Sequence, residues 1–207
     1  PADKGFITMK ITAIVGTYRK GGVIDTAVGE ILSAAREHGA ETETIYLIDT
    51  HVEFCRNCRS CTQSSGDSPG VCPLNDEMPR ILDALDKSDA FILASPMNFS
   101  TVTAVTKRFI ERLVCFADWR WGRPAPRTRK PVREKRAVLV ASSAAPAVLS
   151  RLATGMVKLM KSAAALLGAK SPDLLFIGMC AMVEHHTLSP RVIRRARRLG
   201  RKLAGGS

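Results

Sequence analysis

The sequence predicts a three-layer, doubly wound α/β domain on a five-stranded parallel sheet, and three observations predict it. Short β-branched runs alternate with longer stretches whose apolar residues recur every three or four positions, the pattern of a parallel sheet wrapped by helices. Those runs are apolar almost throughout, as expected of strands covered on both faces by crossover helices. With 207 residues, 45% hydrophobic and 24% charged, the chain has the length and composition of one domain with a full core.

In chain order the predicted strands are 11–16 (ITAIVG), 43–48 (ETIYLI), 90–95 (AFILAS), 136–142 (RAVLVAS) and 173–179 (DLLFIGM). A first helix, beginning near Ile24, places Val28, Ile31 and Ala35 on one face, and a second does so with Ile81, Leu82 and Leu85. Val102, Val105, Phe109, Leu113 and Phe116 step by threes and fours along a third, capped by Ser100 or Thr101. A fourth covers 152–168 and ends at Gly168, where a left-handed cap fits. The fifth opens on Ser189 as N-cap with Pro190 in the first turn, and aligns Val192, Ala196, Leu199 and Leu203. Residues 1–8 and 204–207 show no period and read as tails.

The formal charge of +12 is concentrated in two places. One holds Arg120, Arg123, Arg127, Arg129, Lys130, Arg133, Lys135 and Arg136. The other holds Arg191, Arg194, Arg195, Arg197, Arg198, Arg201 and Lys202. Solvated faces account for such runs. A basic nucleic-acid-binding protein is the alternative class, but it leaves the glycine and cysteine loops described next without a purpose. No apolar run reaches the roughly 20 residues that cross a bilayer, and no leader precedes Met9, so the expected location is the cytoplasm, with no membrane partner.

Two connections exceed the usual length of about 2 to 6 residues: a cysteine loop at 50–76 and a basic loop at 117–135. The first carries C-x2-C-x2-C at Cys55, Cys58 and Cys61, with Cys72 after ten more residues. In a reducing compartment such a cluster points to a metal or redox site, because close spacing lets several thiolates converge on one centre. A closed zinc site and a set of free thiols are the alternatives. Cys115 and Cys180 sit in apolar patterns and read as core thiols, and the adjacent His185 and His186 as a surface turn.

The first strand ends in GTYRKGGVIDT. Gly16 suits a sharp turn, and Gly21 and Gly22 free the backbone to wrap an anion at the start of the next helix. Thr17 and Thr26 offer hydroxyls and Arg19 a fixed-charge fork. The third strand ends in SPMNFST, where Pro96 fixes the exit and lets the amides of Met97, Asn98 and Phe99 project; the fourth ends in ASSAAP, small residues that admit a flat ring. All three loops fall at carboxyl ends of parallel strands, the edge at which open α/β sheets bind ligands.

These segments, GTYRKGG, CRNCRSC with Cys72 and DEM, and SPMNFSTVTAVTKRFIERL, resemble flavodoxin-like NADPH-dependent FMN reductases, and especially their iron-sulfur flavoprotein branch, over roughly positions 9–116. The resemblance implies strand order 2-1-3-4-5. It implies FMN phosphate at Thr17, Arg19, Gly22, Val23, Ile24 and Thr26, with Val23 and Ile24 standing where the family has Asn and Thr. The flavin edge falls to Pro96, Met97, Asn98 and Phe99, with Ser142, Ser143 and Ala144 nearby. Cys55, Cys58, Cys61 and Cys72 correspond to the ligands of a [4Fe-4S] cluster, although the family's last gap is shorter than ten.

By the same resemblance the chain is an NAD(P)H-dependent FMN oxidoreductase that passes electrons to a small-molecule or protein acceptor, with no side chain acting as acid or base. The basic loop is expected to attract nicotinamide phosphates or an acidic partner, and Trp119 or Trp121 to cover the flavin. A homodimer or homotetramer is expected, through Val102–Phe116 or the DWRWG segment. A noncatalytic flavin- or metal-binding redox sensor is the competing function.

Overall fold

A computed structural model describes residues 8–129, 134–184 and 186–206. Lys130, Arg133, His185, Ser207 and the expected tail at 1–7 lie outside the described residues. In chain order the elements are β1 (Lys10–Val15), α1 (Val23–Arg36), β2 (Glu41–Tyr46), α2 (Met78–Asp86), β3 (Ala90–Asn98), β4 (Thr101–Val102) and α3 (Ala104–Arg112). There follow β5 (Ala117–Asp118), β6 (Arg127–Thr128), β7 (Arg136–Ser142), α4 (Ala147–Ala153), α5 (Met156–Leu166), β8 (Asp173–Ile177) and α6 (Pro190–Leu203).

The main sheet runs β2-β1-β3-β7-β8, all parallel, the order expected from the resemblance. α1 and α6 cover one face, burying Ile24, Val28, Ile31, Ala196, Leu199 and Leu203 against Ile11, Ile92 and Val138. α2, α3 and α5 cover the other, with Ile81, Phe109 and Met160 against Ile14, Phe91 and Leu139. The ends of α6 set its direction. Lys202 pairs with Asp173 at the start of β8, and Arg136 at the start of β7 reaches the carbonyls of Lys202 and Leu203. Its N-terminus therefore lies at the carboxyl edge of the sheet, with the three candidate loops.

Several expectations need correction. β2 is not buried on both faces: it is an edge strand on which Glu41, Glu43 and Thr44 meet solvent. Pro96 does not end its strand, because a Pro amide turned away from a neighbour costs no ladder bond and β3 continues to Asn98. The cap of α3 is Thr103, whose hydroxyl accepts from the Thr106 amide (3.3 Å), and not Ser100 or Thr101. The stripe from Val102 to Phe116 spans β4, α3 and a 3-10 turn at Leu113–Phe116. Val102, Phe109 and Leu113 are core residues, so they present no interface.

The fourth predicted helix is two, α4 and α5, broken at Thr154–Gly155, which makes six α-helices among the described residues. α5 does close on Gly168 at φ +96°, as its cap requires. Residues 204–206 are the capping turn of α6 rather than a tail: Gly206 N–H donates to the Arg201 carbonyl (2.9 Å). Cys115 is buried, whereas Cys180 is only half-buried just beyond β8. No helix among the described residues is long and apolar enough to cross a membrane.

Candidate functional site

The loop after β1 is not shaped by the sharp turn that the sequence suggested at Gly16. Gly16 is not left-handed. It is needed for closeness, since a Cβ there would stand 1.7 Å from Thr106 Oγ1. Thr103 Oγ1 donates to the Gly16 carbonyl (2.6 Å), Ser95 Oγ donates to the Pro96 carbonyl (2.9 Å), and Thr106 Oγ1 lies 2.8 Å from Thr103 Oγ1 and 3.2 Å from Ser95 Oγ. All three hydroxyl residues are buried. A buried network with every member satisfied holds its parts rigidly, and this one ties the first loop to the third. Sequence reasoning missed it, although the T-x-x-T spacing at 103–106 was a signal.

Beyond Gly16, Thr17 is buried and its hydroxyl accepts from the Arg19 amide (3.2 Å). Arg19 is exposed, and its guanidinium reaches the Glu184 carbonyl (3.4 Å). Gly21 takes φ +74° and Gly22 caps α1. The first helical bond runs from Thr26 N–H to the Gly22 carbonyl (2.8 Å), leaving the amides of Val23, Ile24 and Asp25 without intrahelical acceptors. Ile24 points into the core, Val23 is half-buried and Thr26 is exposed, so the side chains of Val23 and Ile24 offer no polar group and only their amides are available to a ligand.

Asp25 was not foreseen. Its carboxylate accepts from the Gly21 amide (2.6 Å) and from the Tyr46 hydroxyl (2.5 Å). That bond, with burial, pushes the Tyr46 phenol up to about 12. An acid in the first turn suits the helix dipole and fixes the loop, at the expense of one free amide.

At the third loop Asn98 pairs with Thr101 across a two-residue turn, Phe99 (φ 46°) and Ser100 (φ 64°), as a tight hairpin with both central residues left-handed requires. Met97 is half-buried, while Asn98 and Phe99 are exposed at the tip. At the fourth loop Ser142 and Ser143 are buried and Ala144 is exposed. Ser143 is engaged in the fold: its amide donates to the Ile177 carbonyl (2.9 Å) and its hydroxyl to the Ala145 carbonyl (2.8 Å).

Cys55, Cys58, Cys61 and Cys72 line one pocket of about 210 Å³, together with Arg56, Arg59, Arg112 and Trp119. No carboxylate or imidazole joins them. Cys61 is buried; burial and the neighbouring Cys72, Cys55 and Cys58 push its thiol up. Cys58 is exposed, and the Ser60 hydroxyl at 3.4 Å holds its thiol below the ordinary value. Among the described residues no three His, Cys, Asp or Glu side chains already converge as the shell of one ion.

Three arginines shape this pocket, and one of them corrects the reading of the basic loop. Arg129 is buried and donates to the carbonyls of Cys61 (3.3 Å), Ser64 (2.8 Å), Gly66 (3.0 Å) and Cys115 (3.1 Å), so it knits loop 117–135 to the cysteine loop instead of facing a ligand. Arg120 and Arg123 pair with Asp118, and Lys135 Nζ closes α2 on the carbonyls of Leu85, Asp86 and Ser88. Arg112 is paired with Asp76 and donates to the Glu53 carbonyl (2.9 Å). Arg59 packs over both Trp119 and Trp121, its guanidinium carbon 4.0 and 4.2 Å from the two ring centres. Trp119 and Trp121 thus cover the cysteine loop and not the three-loop rim.

Residues 9–170 match the NADPH-dependent FMN reductase family. An iron-sulfur flavoprotein of Methanocaldococcus jannaschii is 36% identical over 104 residues, 50% of this chain and 51% of that protein. One from Methanosarcina thermophila is 31% identical over 106 residues, 51% and 53% respectively. The chain spans about half the length of the curated relatives it matches. Two solved structures share its fold at low identity. An NAD(P)H:quinone oxidoreductase from Methanothermobacter marburgensis superposes with TM-score 0.68 at 19% identity, covering 95% of this chain and 99% of that one. An azoreductase from Bacillus anthracis gives 0.67 at 15%, with the same coverage.

Proposed function

Because this chain belongs to the NADPH-dependent FMN reductase family, we propose that it binds FMN noncovalently at the three-loop rim and works as an NAD(P)H-dependent oxidoreductase. The observation that carries this reading is the hydroxyl network of Ser95, Thr103 and Thr106, which locks the anion loop to the hairpin loop. FMN supplies, when bound, the capacity to take a hydride from a nicotinamide and to pass electrons on. The chain's part is placement. The amides of Val23 and Ile24, with the Thr17 and Thr26 hydroxyls and Arg19, hold phosphate at the positive end of α1. Pro96 to Phe99 hold the ring edge, and Ala144, next to Ser142 and Ser143, borders it. No residue of this chain needs to act as acid or base.

The cysteine pocket fits a metal centre: four cysteines line one space, with no carboxylate or imidazole among the described residues that line it. We favour a [4Fe-4S] cluster held by Cys55, Cys58, Cys61 and Cys72, on the likeness of this chain to iron-sulfur flavoproteins, over a zinc ion on the same four thiolates. The acceptor is then a small molecule or a protein.

The purified chain, prepared anaerobically, tests these readings. Expected are flavin absorption that NAD(P)H bleaches, and iron with acid-labile sulfide that the Cys58→Ser variant loses. A colourless protein that does not take up FMN on titration would overturn the oxidoreductase. FMN without bleaching would favour the sensor.

A further inference from the structure

Arg59 lies between Cys58 and Cys61 at φ 61°, a left-handed conformation that strains a non-glycine residue. Its guanidinium packs over the indoles of Trp119 and Trp121. A guanidinium stacked on aromatic rings donates through its edges. One edge is used, Nη2 donating to the Trp119 carbonyl at 2.5 Å. The Nε–H is buried and has no partner among the described residues, and a buried donor left unpaired is destabilising. Arg59 is also one of the residues lining the cysteine pocket.

The charge balance of that pocket singles out the same residue. Four thiolates around a zinc ion or an iron-sulfur core leave a net negative charge, and a negative charge out of water needs a counter-charge. Of the other arginines in the lining, Arg112 also reaches the Cys72 thiol but its charge is balanced by Asp76, and Arg56 is exposed. Arg59 alone in that lining combines shelter from solvent with a charge that no carboxylate balances.

We infer that Arg59 is the charge-compensating hydrogen-bond donor of the cysteine centre, and that Trp119 and Trp121 are positioning residues that hold it there. This assignment rests on the reading of the pocket as a metal centre, iron-sulfur or zinc. It explains why a strained arginine with an orphaned donor stands between two cysteines. It also gives the two tryptophans a role that the three-loop rim does not. Hydrogen bonds to sulfur and nearby positive charge ease reduction of an iron-sulfur centre, so Arg59 raises its potential.

The test loads the whole chain anaerobically with ferrous iron and sulfide, and separately with zinc. It compares the wild type with Arg59→Gln, Arg59→Lys and Trp121→Ala. Arg59→Gln should bind FMN as the wild type does, yet hold metal about 10- to 100-fold more weakly against a chelator. Its iron-loaded centre should have a more negative midpoint potential. Arg59→Lys restores the charge without the planar fork and should recover part of the potential. Trp121→Ala removes an exposed indole outside the pocket lining and should fall between. Wild-type retention and potential in Arg59→Gln would overturn the assignment while leaving the metal centre standing. A wild type that takes up neither iron nor zinc would overturn both. If Arg59→Gln does not fold, Trp121→Ala decides, and unchanged retention and potential in it overturn the assignment.

Discussion

Arg112 of α3 and Asp76, at the end of the cysteine loop, form an ion pair sealed from water, their side chains 2% and 0% exposed. Burial works to raise the Asp76 pKa, but Arg112 and the amides of Glu53 and Met78 outweigh it and hold the carboxyl below its ordinary value. A carboxyl depressed by folding stabilises the protein above its unfolded pKa, about 3.9. That contribution is lost as pH falls through the folded value. Asp76→Asn leaves Arg112 buried without its counter-charge and should lose about 3–5 kcal/mol at neutral pH. In urea unfolding its stability should also vary less with pH below about 4 than the wild type's. Equal pH profiles would show that the pair does not carry the acid sensitivity.

Gly16 and Thr106 are in contact so close that neither tolerates an added atom. Gly16→Ala should destabilise by about 1–3 kcal/mol through overpacking and weaken FMN binding with it, because the same hydroxyls anchor both loops. Combined with Thr106→Ala, which removes the clashing oxygen, it should recover part of the loss. A double-mutant cycle should give a coupling of about 0.5–3 kcal/mol; additivity within error would mean that the backbone simply moves aside.

Asp25 sits where the proposed FMN phosphate would add charge. Asp25→Asn should tighten FMN by about 0.3–1 kcal/mol, the scale of one charge at a helix N-terminus, and leave riboflavin, which lacks the phosphate, unchanged. The same substitution should bring the Tyr46 phenol down from about 12 towards the ordinary value near 10, visible in an ultraviolet titration. An equal effect on riboflavin would place Asp25's influence on the loop's shape and not on charge.

Arg129 satisfies the carbonyls of three residues of the cysteine loop and that of Cys115 in the 3-10 turn after α3. Arg129→Met orphans them and should lower stability by more than about 3 kcal/mol, given about 1–3 kcal/mol for each buried group left unpaired. Proteolysis within 56–70 should then outpace cleavage elsewhere. Arg127→Ala, at an exposed position two residues away, should stay within about 0.5 kcal/mol. Equal sensitivity of the two would mean that the basic loop acts through surface charge.

The sheet was legible because a strand covered on both faces must be written in apolar residues. Ile11–Val15 and Ala90–Ala94 are so written, and helices such as α1 and α6 carry a 3.6-residue stripe to match. β2 was misjudged because an edge strand needs only one such face. The cysteine motif was legible by spacing, and the anion loop by its glycines. Arg59, Arg112 and Arg129 were not: a buried arginine and a solvated one are the same letter, and only the carbonyls, indoles and carboxylate around it tell them apart.

Local sequence alone therefore determined the alternation of strands and helices, the rim at which the loops gather and the thiols that share one loop, because period and spacing act between near neighbours along the chain. Tertiary structure decided what Gly16 is for, where Trp119 and Trp121 lie and which charges are spent inside the protein. Those outcomes depend on contacts between residues far apart in the chain, Gly16 with Thr106 and Arg59 with Trp119, whose free energies arise only when folding removes water from between them.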